Sequence, residues 1–188
     1  MKTFEELKKE LLDLAKTNKA CEDGYKMGLL CKSKKDLLKA ITSNWRWVLV
    51  QSKMIDSTFL EANFTAEELK DAGIFVSGNH EVNNDIFFAC GSSTVEAYDS
   101  STVEVCDSSM VEAYDSSTVK ACGSSTVKAY DSSTVEACGS STVEAYGSSY
   151  VSDYTGNIKT VSERAIVRDY FNKKIYIKKG TFEIIEVE

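Results

Sequence analysis

The groups in this chain that could do chemistry are few and regularly placed: one histidine, six cysteines, nine tyrosines and a series of acids that returns at fixed intervals. The single histidine, His80, excludes a multi-histidine metal centre and leaves most acid–base triads without their base. It lies in Ser77-Gly78-Asn79-His80-Glu81, which reads as a polar, solvated loop with only Glu81 as a neighbouring partner. Cys21 and Cys31 sit in helical sequence without a Cys-x-x-Cys, so they read as packing residues. The other cysteines, Cys90, Cys106, Cys122 and Cys138, recur every 16 residues, and so do Tyr98, Tyr114, Tyr130 and Tyr146. Between them run Glu96, Asp99, Glu104, Asp107, Glu112 and Asp115. No catalytic residue, cofactor or metal ligand is assigned.

What positions these groups is a repeat. From Ser92 to Thr155, eight consecutive units follow Ser-Ser-Thr-Val-Glu-Ala-Tyr-Asp, and Asn84 to Gly91 make a degenerate unit before them. The fourth position is Val throughout, from Val95 to Val151. Val and Ala lie two apart, as do Thr, Glu and Tyr, which is the alternation of a strand with Val and Ala inward. Gly or Asp followed by two serines supplies the turn. Because Tyr and Cys alternate at the seventh position, the true period is two octads. The spacing predicts a two-sided β-solenoid with 16-residue coils, with tyrosines in one outward column and cysteines in another on the opposite face; the competing arrangement turns that position inward, where four stacked phenols would overfill a Val–Ala interior. Four coils stacked at about 4.8 Å make a rod about 20 Å long. Backbone bonding between coils, rather than the thin Val–Ala interior, has to supply most of its stability.

Both ends of such a rod need covering. Residues 1–82 read as a helical domain, residues 83–155 as the solenoid and residues 156–188 as a short C-terminal β cap, an α+β protein overall. Thr3 with Glu6, Ser33 with Asp36 and Thr65 with Glu68 are capping boxes, and Gly73 ends the last helix. Ile74-Phe75-Val76 forms a first strand, and bulky Ile86-Phe87-Phe88 suits a junction with the helical domain. At the far end, 165–170, 174–178 and 182–187 read as strands, with a turn at Lys179-Gly180. Tyr150, Asp153 and Tyr154 break the repeat as a terminal coil does.

Composition is that of a folded protein, 43% hydrophobic and 27% charged. No apolar run spans a membrane, and the amino terminus is amphipathic rather than a signal sequence, so the expected compartment is cytoplasmic and the cysteines reduced. Of the net charge of −7, residues 84–155 hold 2 basic and 11 acidic side chains. That segment therefore repels nucleic acid, and its net −9 compares with roughly −12 for duplex DNA of about the same length. The charge has two readings: solubility for an edge-rich β structure, or a surface that competes for a basic nucleic-acid channel. The tyrosine column also has two: a plain stacked ladder, or a self-association face forming an isologous homodimer. Neighbouring cysteines about 4.8 Å apart fit disulfide geometry poorly, and the column reads as small packing groups. Asp99, Asp107, Asp115 and Asp131 lack the paired glycines of calcium-binding β-rolls, and the Thr positions lack the second Thr of ice-binding surfaces.

The octads from Ser92 to Gly147 resemble the octapeptide-repeat proteins of bacteriophages and prophages. The ending Lys174-Ile175-Tyr176-Ile177-Lys178-Lys179-Gly180-Thr181-Phe182-Glu183-Ile184 is similar to the tail that closes many of them. Asp36-Leu37-Leu38 to Asn44-Trp45-Arg46-Trp47 is similar to their amino-terminal domain. The paired-octad coil with its tyrosines also resembles ice-nucleation proteins, whose ladder implies dimerisation, although their Gly-rich Thr-x-Thr pattern is missing here. What the phage resemblance implies is a non-enzymatic accessory protein of a bacterial host cell. By analogy with anti-CRISPR proteins and DNA-like pentapeptide-repeat solenoids, it would bind and inhibit a host nucleic-acid enzyme through Glu96, Asp99, Glu104, Asp107, Glu112 and Asp115. The alternative is a structural module in which the solenoid dimerises through Tyr98, Tyr114, Tyr130 and Tyr146 while the helical domain docks a partner.

Overall fold

In the computed structural model, which describes residues 1–180 and 185, the chain divides into two compact units, Met1–Val76 and Ser77–Glu188. The first is helical: α1 (Phe4–Thr17), α2 (Glu22–Leu30), α3 (Lys34–Ser43), a π-helical stretch at Arg46–Gln51, α4 (Ser57–Asn63) and α5 (Ala66–Asp71), then a two-residue strand β1 (Ile74–Phe75). The starts follow the caps. Thr3 with Glu6 and Thr65 with Glu68 form complete capping boxes, each satisfying two amides that the first turn leaves open. Ser33 caps α3 by accepting from the Asp36 amide, but the Asp36 carboxylate reaches the Lys32 amide instead, so this box is incomplete. Leu7, Leu11, Leu37, Leu38, Ile41, Trp45, Val48 and Leu60 form the core. By contrast, α2 buries none of its residues.

The second unit is a two-sided parallel β-solenoid. One sheet contains β2 (Asn79–Asn83), β4 (Thr94–Tyr98), β6 (Met110–Ala113), β8 (Thr126–Ala129), β10 (Thr142–Ala145) and β12 (Ile158–Val161), in that spatial order. The facing sheet runs β3 (Ile86–Ala89), β5 (Thr102–Val105), β7 (Thr118–Ala121), β9 (Thr134–Ala137), β11 (Tyr150–Asp153) and β13 (Ile166–Asp169), closed by antiparallel β14 (Lys174–Tyr176). Within the regular coils, partners are 16 residues apart: Val95 pairs with Val111, Val111 with Val127, and Val103 with Val119. Every Val and Ala of these strands from Val95 to Ala145 is fully buried or nearly so, and the residues between them face outward.

The described residues form six coils rather than four. The first begins before residue 83, because His80 and Val82 on β2 pair with Val95 and Ala97. His80 is therefore a strand residue in the Val column, not a loop residue, and its Nε2–H donates to the Ser77 carbonyl at 2.8 Å. At the other end the repeat loses its residues but not its period. Val151 pairs with Val167 and Asp153 with Asp169, so residues up to Asp169, expected to be cap, complete a sixth coil. A bulge between Val143 and Glu144, facing β12, takes up the irregularity. Asp153 and Asp169 occupy the Ala column, buried, and hold the following turns: Asp153 accepts from the Thr155 and Gly156 amides, Asp169 from the Asn172 amide. The strand expected over 182–187 lies outside the described residues.

Each corner has a buried residue that does not look apolar. The second serine of every pair, from Ser93 to Ser149, is at most 1% exposed. Most of these hydroxyls donate to the carbonyl three residues back, such as Ser133 to Tyr130 at 2.6 Å and Ser141 to Cys138 at 2.7 Å. The corner thus needs a side chain that is small and self-satisfying. The residue before each serine pair is left-handed: Asp99, Asp107, Asp115 and Asp131 have φ of 51–58°, and Gly91, Gly123, Gly139 and Gly147 lie in the same region.

Candidate functional site

Each octad puts its seventh residue at or just past the end of a strand, and stacking turns that position into two columns on opposite sides. Tyr98 ends β4, and Tyr114, Tyr130 and Tyr146 follow β6, β8 and β10; Cys90, Cys106, Cys122 and Cys138 follow β3, β5, β7 and β9.

The tyrosine rings form one continuous stack, with centroids 5.0, 4.9 and 5.1 Å apart and planes within 11° of parallel. That separation matches the coil rise of about 4.8 Å, so the backbone sets the stack and the rings follow it. The rings are half-buried. Because positions five and seven share a face, three of the four phenols meet a glutamate two residues before them, whereas Tyr130 follows Lys128. Tyr98 donates to Glu96 at 2.7 Å, Tyr114 to Glu112 at 2.7 Å and Tyr146 to Glu144 at 2.9 Å. The bond to the Glu96 carboxylate pushes the Tyr98 phenol up to about 12, and Tyr114 and Tyr146 rise for the same reason. Burial raises Tyr130. Glu112 is held below the usual carboxylate range by Tyr114 and by Lys128, which is 2.9 Å away. At neutral pH the ladder is thus an array of protonated phenols, three of them bonded to glutamates.

The six acids expected to act together are distributed over four places. Glu96 and Glu112 are rung neighbours on the tyrosine-side sheet, and Asp99 and Asp115 are neighbours in the turns that follow it. Glu104 lies on the opposite sheet, where Lys120 is its rung partner at 3.6 Å, and Asp107 lies in the opposite turn. The turn aspartates also have local work. Three carboxylates accept from the backbone amide of the equivalent residue one coil earlier, Asp107 from Gly91 at 3.2 Å, Asp115 from Asp99 at 3.1 Å and Asp131 from Asp115 at 3.2 Å, and Asp99 accepts from the Asn84 side chain at 3.0 Å.

The cysteine column overturns one expectation. Cys122 and Cys138 are joined by a disulfide with Cα atoms 4.8 Å apart, whereas reduced, packing thiols were expected along the whole column. The geometric objection fails because adjacent-coil spacing falls inside the roughly 4.4–6.8 Å that disulfides span. Cys90 and Cys106 are free and buried, and the Cys106 thiol is pushed up by its hydrogen bond with Cys90 and by burial. Past Cys138 the column continues as Tyr154 and Tyr170, stacked at 4.6 Å with Arg168 over the Tyr170 ring. That second ladder was legible as a further step of 16 residues.

The helical unit contains a mostly apolar cavity of about 390 Å³ between Leu11, Leu12, Leu37, Ile41 and Val48, which the sequence did not suggest. Among the described residues no helix is long and apolar enough to cross a membrane. Compared with known proteins, the chain matches no family model, no curated protein and no solved structure.

Proposed function

We propose that this protein is a non-enzymatic interaction module whose working surface is the tyrosine–glutamate face of the solenoid, and that a second copy of the same chain is its first partner. The observation that carries this reading is the four-ring stack with planes within 11° of parallel. A rigid, flat, half-buried aromatic strip has little conformational entropy left to lose on docking, and tyrosine is enriched where surfaces associate. Pairing two strips about a two-fold axis closes the assembly without leaving a free strip to polymerise. The helical unit would then be free to dock a further protein. The Tyr114→Ser/Tyr130→Ser variant tests this. Light scattering is expected to give twice the chain mass for the parent and the single-chain mass for the variant; equal masses remove the proposal.

A second reading is favoured by the acid excess of residues 84–155, 11 acidic against 2 basic side chains. In it, the solenoid is an accessory inhibitor that occupies the basic channel of a host nucleic-acid enzyme, a CRISPR nuclease being the concrete case. Glu96, Asp99, Glu104, Asp107, Glu112 and Asp115 would make the contact. The pairing of Glu104 and Glu112 with lysines weighs against it. Competition with duplex DNA that weakens with added salt, and that disappears in a Glu96→Gln/Glu104→Gln/Glu112→Gln variant, is what this reading requires.

A further inference from the structure

The cysteine side has one residue out of pattern. Its left-handed turn residue is Gly91, Gly123 and Gly139 in three coils and Asp only at Asp107, whereas the tyrosine side uses Asp99, Asp115 and Asp131 before Gly147. That Asp stands directly beside the two thiols left free when Cys122 and Cys138 join. One ligand atom each from Cys90, Cys106 and Asp107 lie within 4.8 Å of one another, with both cysteines buried and the aspartate exposed.

We propose that Cys90, Cys106 and Asp107 form a binding site for a thiophilic divalent cation, Zn²⁺ in the first instance, clamped between two adjacent coils. The donor set selects the class. Two thiolates and one carboxylate suit Zn²⁺ or Cd²⁺, whereas Ca²⁺ and Mg²⁺ require shells built from oxygen alone. Zinc with bonds of about 2.3 Å to sulfur and 2.0–2.2 Å to oxygen holds its ligands about 3.5–3.8 Å apart, so the three groups need only small movements to close on it. The Asp107 carboxylate is already aimed, because one oxygen accepts from the Gly91 amide at 3.2 Å while the other remains to ligate. Its exposure gives an entry path and leaves the fourth position to water.

Binding exchanges two thiol protons for the cation. Both protons leave to solvent, no electrons move, and two thiolates plus one carboxylate around a divalent ion leave a net charge of −1. The turn itself does not explain the pairing of Asp with thiols. Asp115 and Asp131 make the same amide contact with no thiol beside them, and Cys122 and Cys138 are followed by Gly123 and Gly139 and close on each other instead.

The test uses the full chain carrying Cys122→Ser/Cys138→Ser, so that the second thiol pair cannot contribute. After reduction and removal of the reductant, it is titrated anaerobically with Cd²⁺, following the ultraviolet thiolate-to-metal charge-transfer band, and with Zn²⁺ by calorimetry. The expected result is one equivalent bound, with a raised melting temperature. Because Cys90 and Cys106 are buried, their replacement could cost the fold; Asp107→Asn is exposed and keeps both thiols, and it is expected to weaken binding at least about tenfold. Absence of saturable binding by the folded protein overturns the site. So does affinity indifferent to Asp107→Asn, or conversion to a Cys90–Cys106 disulfide that proceeds unhindered with the cation present.

Discussion

On one side of the solenoid the seventh and eighth residues of the octad are Tyr and Asp, except at Tyr146-Gly147; on the other they are Cys and Gly, except at Cys106-Asp107. The backbone is the same on both sides, a strand of four or five residues entering a left-handed turn, so the comparison isolates what side chains do at a fixed rise. Tyrosine is too wide for the corner and stacks beside it, anchored by a phenol-to-glutamate bond. Cysteine is small enough to turn into the wall, where consecutive thiols lie within bonding range. At the C-terminal end the cysteine side turns aromatic with Tyr154 and Tyr170, so the residue, not the sheet, decides which solution is used.

Breaking what the sides share has the largest effect. Val111 and Val119 belong to opposite sheets and both are 0% exposed. Val111→Asp and Val119→Asp each bury an unpaired carboxyl, at a cost of about 4–5 kcal/mol or more, and both are expected to abolish the cooperative thermal transition followed by circular dichroism. Loss from only one of them contradicts a common interior.

The sides then separate. Cys122→Ser/Cys138→Ser opens a 16-residue cross-link and should lower unfolding stability in urea by about 2–4 kcal/mol. Tyr114→Ser/Tyr130→Ser removes three ring stacks and no covalent bond, and is expected to cost less in the same assay. The reverse order breaks the contrast.

Corner serines come next. The Ser117 hydroxyl lies within bonding distance of the Tyr114 and Ala97 carbonyls, which also accept backbone amides, so Ser117→Val removes only this second donor and should cost about 0.5–1.5 kcal/mol in urea denaturation. The smallest effect is electrostatic and confined to the tyrosine side. Folding raises the Tyr98 phenol from near 10 to about 12. The neutral form is therefore favoured in the folded state, and its stabilisation is complete below pH 10 and lost as pH climbs toward 12. Tyr98→Phe should flatten this alkaline decline in denaturation midpoint, leaving the midpoint at neutral pH little changed.

Much of this was legible because the octad repeats residue types in register. Val and Ala two apart fixed the inward face, and a spacing of 16 fixed both columns. Legibility failed where type and role diverge. Ser93 to Ser149 read as turn residues, yet form the buried corners, because a hydroxyl that bonds its own chain costs little to bury. His80 and Val82, and later Val167 and Asp169, keep the period without the consensus residues, so the first and last coils were read as flanking sequence. Asp153 and Asp169 looked like breaks in the Ala column, whereas their carboxylates tie down the turns after them. The tyrosine–glutamate pairing could have been read directly, since both residues alternate onto one face. The six acids could have been separated by the same rule, because residues eight apart lie on opposite sheets.

The central claim is that one coil takes two octads, so that residues 16 apart stack. Nuclear Overhauser contacts between tyrosine rings test it most directly. The Tyr114 ring is expected to contact the rings of both Tyr98 and Tyr130. A Tyr114 ring that instead contacts the seventh-position residues eight away, Cys106 and Cys122, contradicts it.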